Sequence, residues 1–223
     1  MKNFITLEGS EGVGKSTQVR LLQEYCQKNN IPAVFTREPG GSKIAEDIRK
    51  IILNPENKEM SDVCEAFLYA AARIQHLQDI VAPALKQGKI VFCDRYIDSS
   101  YAYQGFGREL GYDFVKQLNS LAIGEYMPQY TIFLDLSPQE AFARKGGADA
   151  NDRLEQQGNE FFEKVYQGYK HVAQEESERF ITIRPLGSKF DTHCKIVPTA
   201  LRFGMIIPCA PTPSAHLMIE PRL

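Results

Sequence analysis

The residues best suited to chemistry form a glycine-rich segment near the amino end of the chain. The segment is Gly9-Ser10-Glu11-Gly12-Val13-Gly14-Lys15-Ser16-Thr17, which fits the spacing G-x-x-x-x-G-K-[ST]. Glycines let successive backbone amides turn inward and approach a phosphate closely, which a Cβ would obstruct. The lysine of such a segment reaches the β- and γ-phosphates, and the hydroxyl that follows it coordinates Mg²⁺. The pattern therefore predicts a polyphosphate-binding loop.

The residues on either side give this loop the context that it needs. The apolar run Phe4 to Leu7 predicts a strand before it, and the spacing of Val19, Leu21, Leu22 and Tyr25 predicts a helix after it. The first turn of a helix adds unpaired amides and the positive end of the helix dipole, and both favour an anion. A chance match on a glycine-rich turn would not need this order, so we favour nucleotide binding.

A carboxylate suited to the same chemistry follows a second apolar run. Asp94 ends the run that begins at Ile90, and Arg95 comes directly after it. A buried parallel strand that ends in aspartate presents a carboxylate near Mg²⁺ in phosphoryl-transfer sites. A capping aspartate would give the same pattern, so this interpretation depends on the loop upstream.

Two further arginines each have two possible roles. Arg37-Glu38-Pro39-Gly40-Gly41 follows a predicted strand, at the edge where open α/β sheets bind ligands, but an ordinary turn with a surface ion pair fits equally well. Arg73 lies in the apolar part of a helix predicted over 61–88. A guanidinium near a core is costly unless a partner satisfies it, so Arg73 forms either a structural salt bridge or a ligand contact.

Three later segments complete the pattern. Ser99 to Gly105 supply hydroxyls, an amide and aromatic rings, which are typical of contacts to a base or sugar. Glycines, small residues and cations over about 144–155 predict a mobile lid, or else a surface loop with incidental charge. Residues 203–223 contain four prolines and no clean period, so we expect an irregular tail after one domain over 1–202.

Composition limits the class of protein. The chain has 223 residues, of which 43% are hydrophobic, so it can bury a full core in one domain. A net charge of −2 argues against binding to nucleic acid or an anionic membrane. The five cysteines show no C-x-x-C spacing, and we expect free thiols in a reducing compartment. Without a signal-like segment or a membrane-length apolar run, the chain is predicted to be cytoplasmic.

Strands and helices alternate along the chain. This order predicts an α/β fold with a doubly wound, parallel, five-stranded sheet and right-handed crossovers, with the phosphate-binding loop after the first strand.

Five motifs in order resemble the thymidylate kinase family, the nucleoside monophosphate kinases that phosphorylate dTMP from ATP. They are Gly9 to Thr17, Thr36 to Gly41, Tyr69 to Arg73, Asp94 to Tyr96 with Ser99 to Gln104, and the lid. The resemblance runs from about Phe4 to Leu201 and implies the nucleoside monophosphate kinase fold with a lid, ATP and Mg²⁺ as cofactors, nucleotides as the small-molecule partners, and a homodimer. The tail has no counterpart in the family.

The resemblance also implies the site residues. Those implied for ATP are Gly9, Ser10, Glu11, Gly12, Val13, Gly14, Lys15, Ser16, Thr17 and Arg144, with Ser16 and Asp94 for Mg²⁺. Those implied for dTMP are Glu11, Arg37, Glu38, Arg49, Tyr69, Arg73, Arg95, Ser99, Ser100, Tyr103 and Gln104. Those implied for catalysis are Lys15, Asp94, Arg95 and Arg153.

Individual roles follow from the same resemblance. Tyr69 is expected to stack on thymine, Arg73 and Ser100 to bind the base edge, Glu11 to accept from the 3′-hydroxyl, and Tyr103 to lie under the sugar. Arg95 is expected to clamp the acceptor phosphate, helped by Arg49 and Arg37.

The catalytic arginine is expected in the lid. Some thymidylate kinases carry that arginine in the phosphate-binding loop, where this chain has Gly12. The segment Asp152 to Glu155, after Gly146-Gly147, resembles the lid of the bacterial type, which carries the arginine there, and this resemblance implies that Arg153 supplies it, with Arg144 as the second candidate.

Three other functions fit these residues less well. A deoxynucleoside kinase needs a general base for a bare hydroxyl, whereas Arg95 and Arg37 favour a phosphorylated acceptor. A GTPase is disfavoured because the chain has no Asn-Lys-x-Asp motif. A nucleotide-binding scaffold without activity is disfavoured because the chain has all four residues suited to catalysis, Lys15, Ser16, Asp94 and Arg153.

Overall fold

The structure, a computed structural model, describes residues 2–145 and 152–200. Its strands are β1 (Phe4–Glu8), β2 (Ala33–Arg37), β3 (Ile90–Asp94), β4 (Tyr130–Leu134) and β5 (Phe180–Ile183). Its α-helices are α1 (Lys15–Lys28), α2 (Lys43–Leu53), α3 (Asp62–His76), α4 (Ala82–Lys86), α5 (Ile97–Ser100), α6 (Tyr112–Ile123), α7 (Pro138–Lys145), α8 (Asn159–Glu175) and α9 (Lys189–Ala200). The predicted tail, 203–223, and the middle of the predicted lid, 146–151, lie outside the described residues.

The five strands form one parallel sheet in the order β2-β3-β1-β4-β5. This confirms the predicted doubly wound architecture. Asp94 of β3 pairs with Leu7 of β1 on one side and with Arg37 of β2 on the other. The carboxyl ends of these three strands are therefore level, and the loops that follow them meet at one edge.

Each face of the sheet is covered by helices. Phe4 and Val91 belong to one apolar layer, which includes residues of α6 and α8, whereas Ile5 and Phe92 belong to the other, which includes Leu22 and residues of α9. Successive side chains of a strand point to opposite faces, and both faces are covered here, so the central strands β1, β3 and β4 are apolar at most positions.

The helix predicted over 61–88 is interrupted. Ser61 caps its amino end, since the Ser61 Oγ accepts a hydrogen bond from the backbone N–H of Cys64 at 3.3 Å. The chain then forms a π-helical turn, Leu77–Val81, between α3 and α4. Pro83, two positions after this turn, has no N–H to donate to it, which accounts for the irregularity.

The cysteines only partly match the expectation of free thiols. Cys26, Cys64 and Cys93 are free, but Cys194 of α9 is disulfide-bonded, so the expectation is wrong for that residue. Pairing depends on how closely the fold brings two Cα atoms together, which spacing along the chain does not show. Among the described helices, none has the length and apolar character that crossing a bilayer requires.

Candidate active site

A pocket of about 430 Å³ opens at the level ends of β1, β2 and β3. We call the side formed by Gly9–Thr17 and Arg95 the phosphate end, and the side formed by Tyr69, Arg73, Ser100 and Gln104 the base end. The predicted residues that line the pocket are Glu11, Gly12, Gly14, Lys15, Ser16, Thr17, Arg37, Glu38, Arg49, Tyr69, Arg73, Asp94, Arg95, Ser99, Ser100, Tyr103 and Gln104. Gly9, Ser10, Val13, Arg144 and Arg153 are not among its lining residues.

The phosphate-binding loop has the backbone that its glycines were predicted to permit. Gly9 has φ of 138°, and a Cβ at this position would lie 2.8 Å from the carbonyl oxygen of Leu134, so only glycine fits here. Gly14 has φ of 101° and caps α1 at its amino end. The loop therefore presents main-chain donors beside the positive end of the helix dipole.

Lys15 lies folded against this loop. Its Nζ donates to the carbonyl oxygens of Gly9 and Ser10, both at 2.9 Å. Burial and the neighbouring Arg95 lower the pKa of Lys15 to about 8. A phosphate bound beside this lysine would favour its charged form.

The two residues expected to hold Mg²⁺ are suited to it. Asp94 has one carboxylate oxygen, Oδ1, that is buried and has no hydrogen-bond partner, and Ser16 stands exposed in the first turn of α1. No cluster of three or more histidine, cysteine or acidic side chains that could hold a metal occurs in residues 2–145 and 152–200. Mg²⁺ at a nucleotide takes much of its coordination from phosphate and water, so two protein oxygens are sufficient.

Arg95 occupies the middle of the pocket. Its backbone has φ of 67°, which is unusual for a residue other than glycine. One guanidinium nitrogen, Nη1, donates to the carbonyl oxygen of Gly9 at 3.1 Å, and the other donates to Glu11 at 3.0 Å. The guanidinium carbon lies 5.1 Å from the centre of the Tyr103 ring. Glu11 and Tyr103, both expected to contact the sugar, thus also hold Arg95.

A buried carboxylate beneath Arg95 was not predicted. Glu8, the last residue of β1, is fully buried and accepts from the Ser99 hydroxyl at 2.6 Å and the Tyr169 hydroxyl at 3.0 Å. Both hydroxyls in turn accept from Arg95. Burial, together with the carboxylate of Asp98, raises the pKa of Glu8 to about 7. The available signal was a glutamate that ends an apolar strand. Tyr169 of α8 lies among apolar residues at helical spacing, a pattern that indicates core and not a site residue.

At the base end, Arg73 is buried and almost fully hydrogen-bonded. Its Nε donates to Glu38 at 2.7 Å, and Nη2 donates to the carbonyl oxygen of Tyr96 at 3.1 Å and to the Ser100 hydroxyl at 3.0 Å. Nη1 donates to the side-chain oxygen of Asn119. The structural salt bridge was one of the two predicted roles. Because a guanidinium carries five N–H groups, one remains for a ligand.

Glu38 extends this network to a histidine that sequence reasoning missed. Its Oε1 lies 2.9 Å from His76 Nδ1, and His76 Nε2 lies 2.7 Å from the Thr36 hydroxyl. The residues come from β2, the loop after it and α3. No pattern in the sequence links them.

Arg37 and Arg49 line the pocket with their side chains already engaged. Arg37 forms a two-pronged ion pair with Glu46, at 3.0 and 3.1 Å, and is about half exposed. This is the surface ion pair that was one of its two possible roles. Arg49 donates to the carbonyl oxygen of Pro39 at 2.8 Å.

The two lid arginines are not at the phosphate end. Arg144 of α7 donates to the carbonyl oxygen of Pro185. Arg153 is buried, donates to the carbonyl oxygen of Ile52 at 2.9 Å, and pairs with the fully buried Glu65. The structure therefore does not bring Arg153 to the position expected of a catalytic arginine, because a buried carboxylate elsewhere binds its guanidinium.

Comparisons with known proteins agree on one family. The family model described as thymidylate kinase matches residues 7–196. A thymidylate kinase from Symbiobacterium thermophilum is 48% identical over 179 residues, which cover 80% of this chain and 83% of that protein. One from Lactobacillus delbrueckii subsp. bulgaricus is 50% identical over 182 residues, which cover 79% and 84% of the two chains.

A solved structure is similar as well. The crystal structure of thymidylate kinase from Ehrlichia chaffeensis superposes with a TM-score of 0.71 at 31% sequence identity, covering 88% of this chain and 96% of that one.

Proposed function

The chain belongs to the thymidylate kinase family, and we propose that the phosphates of its two nucleotides meet beside Gly9. The reaction is the transfer of the γ-phosphoryl group of ATP to dTMP, which gives dTDP. One observation carries this proposal. The carbonyl oxygen of Gly9 accepts hydrogen bonds from both Lys15 Nζ and Arg95 Nη1. The cation suited to the donor phosphate and the cation suited to the acceptor phosphate therefore lie side by side, as in-line transfer requires.

On the donor side, we assign ATP to Gly9–Thr17. Backbone amides hold the phosphates, and Lys15 stabilises the charge on the β- and γ-phosphates. Ser16 and Asp94 would hold Mg²⁺, which neutralises charge on the transferred group when it is bound.

On the acceptor side, we assign the phosphate of dTMP to Arg95, with Arg49 and Arg37 nearby. Glu8, Ser99 and Tyr169 fix the Arg95 guanidinium from below. An arginine held in this way positions a phosphate with little further ordering, which favours alignment of the attacking oxygen.

The base end suits thymine. Tyr69 offers an aromatic face, and the free N–H of Arg73 can only donate. A base with a carbonyl oxygen at that edge, as thymine has, satisfies this donor, whereas the amino group of cytosine leaves it unpaired. Discrimination by an unpaired buried donor is larger than that by a missing methyl group.

The test is an ATP-consumption assay with dTMP, dUMP, dCMP and UMP at equal concentrations. We expect kcat/KM to fall by about ten-fold from dTMP to dUMP, for the lost methyl contact, and by more than about a hundred-fold for dCMP. UMP should also be poor, because its 2′-hydroxyl would meet the Tyr103 ring. Equal kcat/KM for dTMP and dCMP would refute the base-end assignment, and equal kcat/KM for dTMP and UMP would refute the placement of the sugar against Tyr103.

We also propose that the enzyme is a homodimer formed through α3 and α6. Three exposed apolar side chains, Val63, Phe67 and Ile74, lie along α3, and Phe114 and Leu121 are exposed on the adjacent α6. The partner that suits this face is a second copy of the chain, since one apolar face against its own copy makes a two-fold interface. Sedimentation should give a dimer for the parent and a monomer for Phe67→Glu. The control Phe190→Glu, at an equally exposed phenylalanine of α9, should stay dimeric, and a monomeric parent would contradict the proposal.

We place the enzyme in the cytoplasm, where ATP and nucleoside monophosphates are available, and assign it no nucleic-acid or membrane partner because its net charge is −2. Cell fractionation tests this, and recovery with membranes or with nucleic acid would contradict it.

A further inference from the structure

A second buried carboxylate, Glu65 of α3, lies outside the phosphate end and binds two arginines. It is fully buried. Its Oε2 accepts from Arg153 Nη2 and, at 3.1 Å, from Arg108 Nη2. Its Oε1 accepts from the side chain of Gln104 at 2.8 Å. Since an unpaired carboxylate at such a site is strongly unfavourable, the arginines must stay bound for the site to persist.

Arg153 also connects the cluster around Glu65 to a second helix, α2. Its Nε donates to the carbonyl oxygen of Ile52 at 2.9 Å, and its backbone N–H donates to that of Leu53 at 3.1 Å. These are the last two residues of α2, where carbonyl groups lack partners within the helix and a cation is favoured. Arg49, one turn earlier on α2, lines the pocket. Arg153 thus joins the end of α2 to the middle of the Glu65 cluster.

The turn that contains Arg153 forms part of the pocket wall. Asp152 Oδ1 accepts from the backbone N–H groups of Leu154 and Glu155, both at 2.8 Å. Asp152, Leu154 and Glu155 all line the pocket, whereas Arg153 points away from it into the protein. The placement of these three residues therefore depends on the contacts of the arginine between them.

Glu65 also fixes a residue of the base end. Gln104 is buried and lines the pocket, and its side-chain amide donates a hydrogen bond to Glu65. The carboxylate that binds Arg153 thus also orients Gln104. One buried group links the turn over 152–155 to the base end.

We propose that Arg153 and Glu65 are a pair of positioning residues that hold the turn over 152–155 and Gln104 against the acceptor nucleotide, and that Arg153 is not the catalytic arginine. This rests on the proposed function, because it assumes that dTMP occupies the base end. The pair acts on dTMP affinity. It leaves ATP binding and the chemical step to the phosphate end.

The test compares Arg153→Met, Glu65→Gln and the double variant with the parent, all as full-length protein. Calorimetry gives the Kd values of dTMP and of ATP, and steady-state assays at saturating dTMP give kcat. We expect each single variant to raise the Kd of dTMP by about ten-fold or more, with the Kd of ATP and kcat changed by less than about three-fold. The double variant should bind dTMP no more weakly than the more affected single variant, because both substitutions break the same ion pair between Arg153 and Glu65.

A conservative variant serves as a second test if Arg153→Met does not fold. Lysine at position 153 keeps the charge, but it cannot bind Ile52 and Glu65 together, so Arg153→Lys should restore only part of the dTMP affinity. Unchanged ATP affinity in each variant shows that the fold persists.

Three results would overturn the proposal. One is a kcat loss above about a hundred-fold with an unchanged Kd of dTMP, which is the behaviour of a catalytic arginine. Another is an unchanged dTMP affinity in Arg153→Met, and the third is additive effects in the double variant. If the parent binds no dTMP, both the proposed function and the positioning role of Arg153 and Glu65 are refuted. If the parent and the variants bind dTMP with the same affinity, only the positioning role is refuted.

Discussion

The two ends of the pocket are built in different ways. The phosphate end depends mainly on a run of consecutive residues, Gly9–Thr17, whose backbone supplies the donors. The base end depends on Arg73, which binds Glu38, 35 positions away, and Asn119, 46 positions away. The first is therefore specified by local sequence, and the second exists only when separate elements have packed together.

This difference separates function from stability. At the phosphate end, the glycines determine the conformation of the loop, and the charged side chains contribute mainly to binding and catalysis. Losing one of these side chains should therefore reduce the rate more than the stability. A side chain at the base end is a structural partner as well as a ligand contact. Losing it should reduce both.

The largest expected effect is on the rate in Lys15→Met. Removing the charge beside the transferred phosphate should lower kcat by about two to three powers of ten. Stability should not fall, because burial lowers the pKa of Lys15 to about 8 and so opposes its charged form, a penalty that methionine lacks. Single-turnover rates and thermal unfolding measure the two effects. A clear loss of stability with a normal rate would show that Lys15 is a structural residue, which would contradict the proposed difference between the two ends of the pocket.

The next effect is on stability in Arg73→Leu. Removing Arg73 leaves the buried carboxylate of Glu38 without its arginine, with His76 as the remaining contact, which should lower the free energy of unfolding by about 3–5 kcal/mol. The control is Arg184→Leu, whose ion pair with Glu140 is exposed, so its loss should be below about 1 kcal/mol. Denaturant unfolding measures both. Similar losses at the two sites would show that the base-end network contributes nothing special.

A smaller effect is the pH dependence that Glu8 gives to stability. Folding raises the pKa of Glu8 from 4.5 to about 7, chiefly through burial, so between these values the folded state binds more protons than the unfolded chain. Stability due to this group is therefore full at low pH and is lost as pH rises to about 7. Around Glu8 lie the carboxylate of Asp98, which adds to the shift, and the charged Arg95, which opposes it.

In Glu8→Gln this contribution should disappear, flattening the curve of unfolding free energy against pH by up to about 1.4 kcal/mol per pH unit in that window. Glu24→Gln, at an exposed glutamate paired with Arg20, should leave the slope as it is. A slope that is unchanged in Glu8→Gln would contradict the assignment.

The same comparison explains what the sequence could predict. The five strands, the phosphate-binding loop and the carboxylate at Asp94 follow from local patterns, because apolar periodicity and glycine spacing act over a few residues. The structure confirms the parallel sheet and brings most of the predicted residues to one pocket.

What could not be predicted depends on partners far along the chain. The resemblance of the lid to that of other thymidylate kinases implied that Arg153 is the catalytic arginine, but its partner Glu65 lies 88 positions away. Tyr169 has the spacing of a core residue, yet its hydroxyl reaches Glu8, 161 positions away. A titratable side chain has a role only in relation to its neighbours, and the fold alone selects them.

The most direct test of the account is the affinity for dTMP relative to thymidine, which lacks the phosphate, measured by calorimetry in the parent and in Arg95→Ala. Charge-assisted hydrogen bonds of about 1.5–3 kcal/mol predict that the parent prefers dTMP by about ten- to a hundred-fold or more. In Arg95→Ala that preference should largely disappear while thymidine affinity stays within about three-fold, because the base end is intact. A preference for dTMP that survives in Arg95→Ala would contradict the placement of the acceptor phosphate beside Gly9.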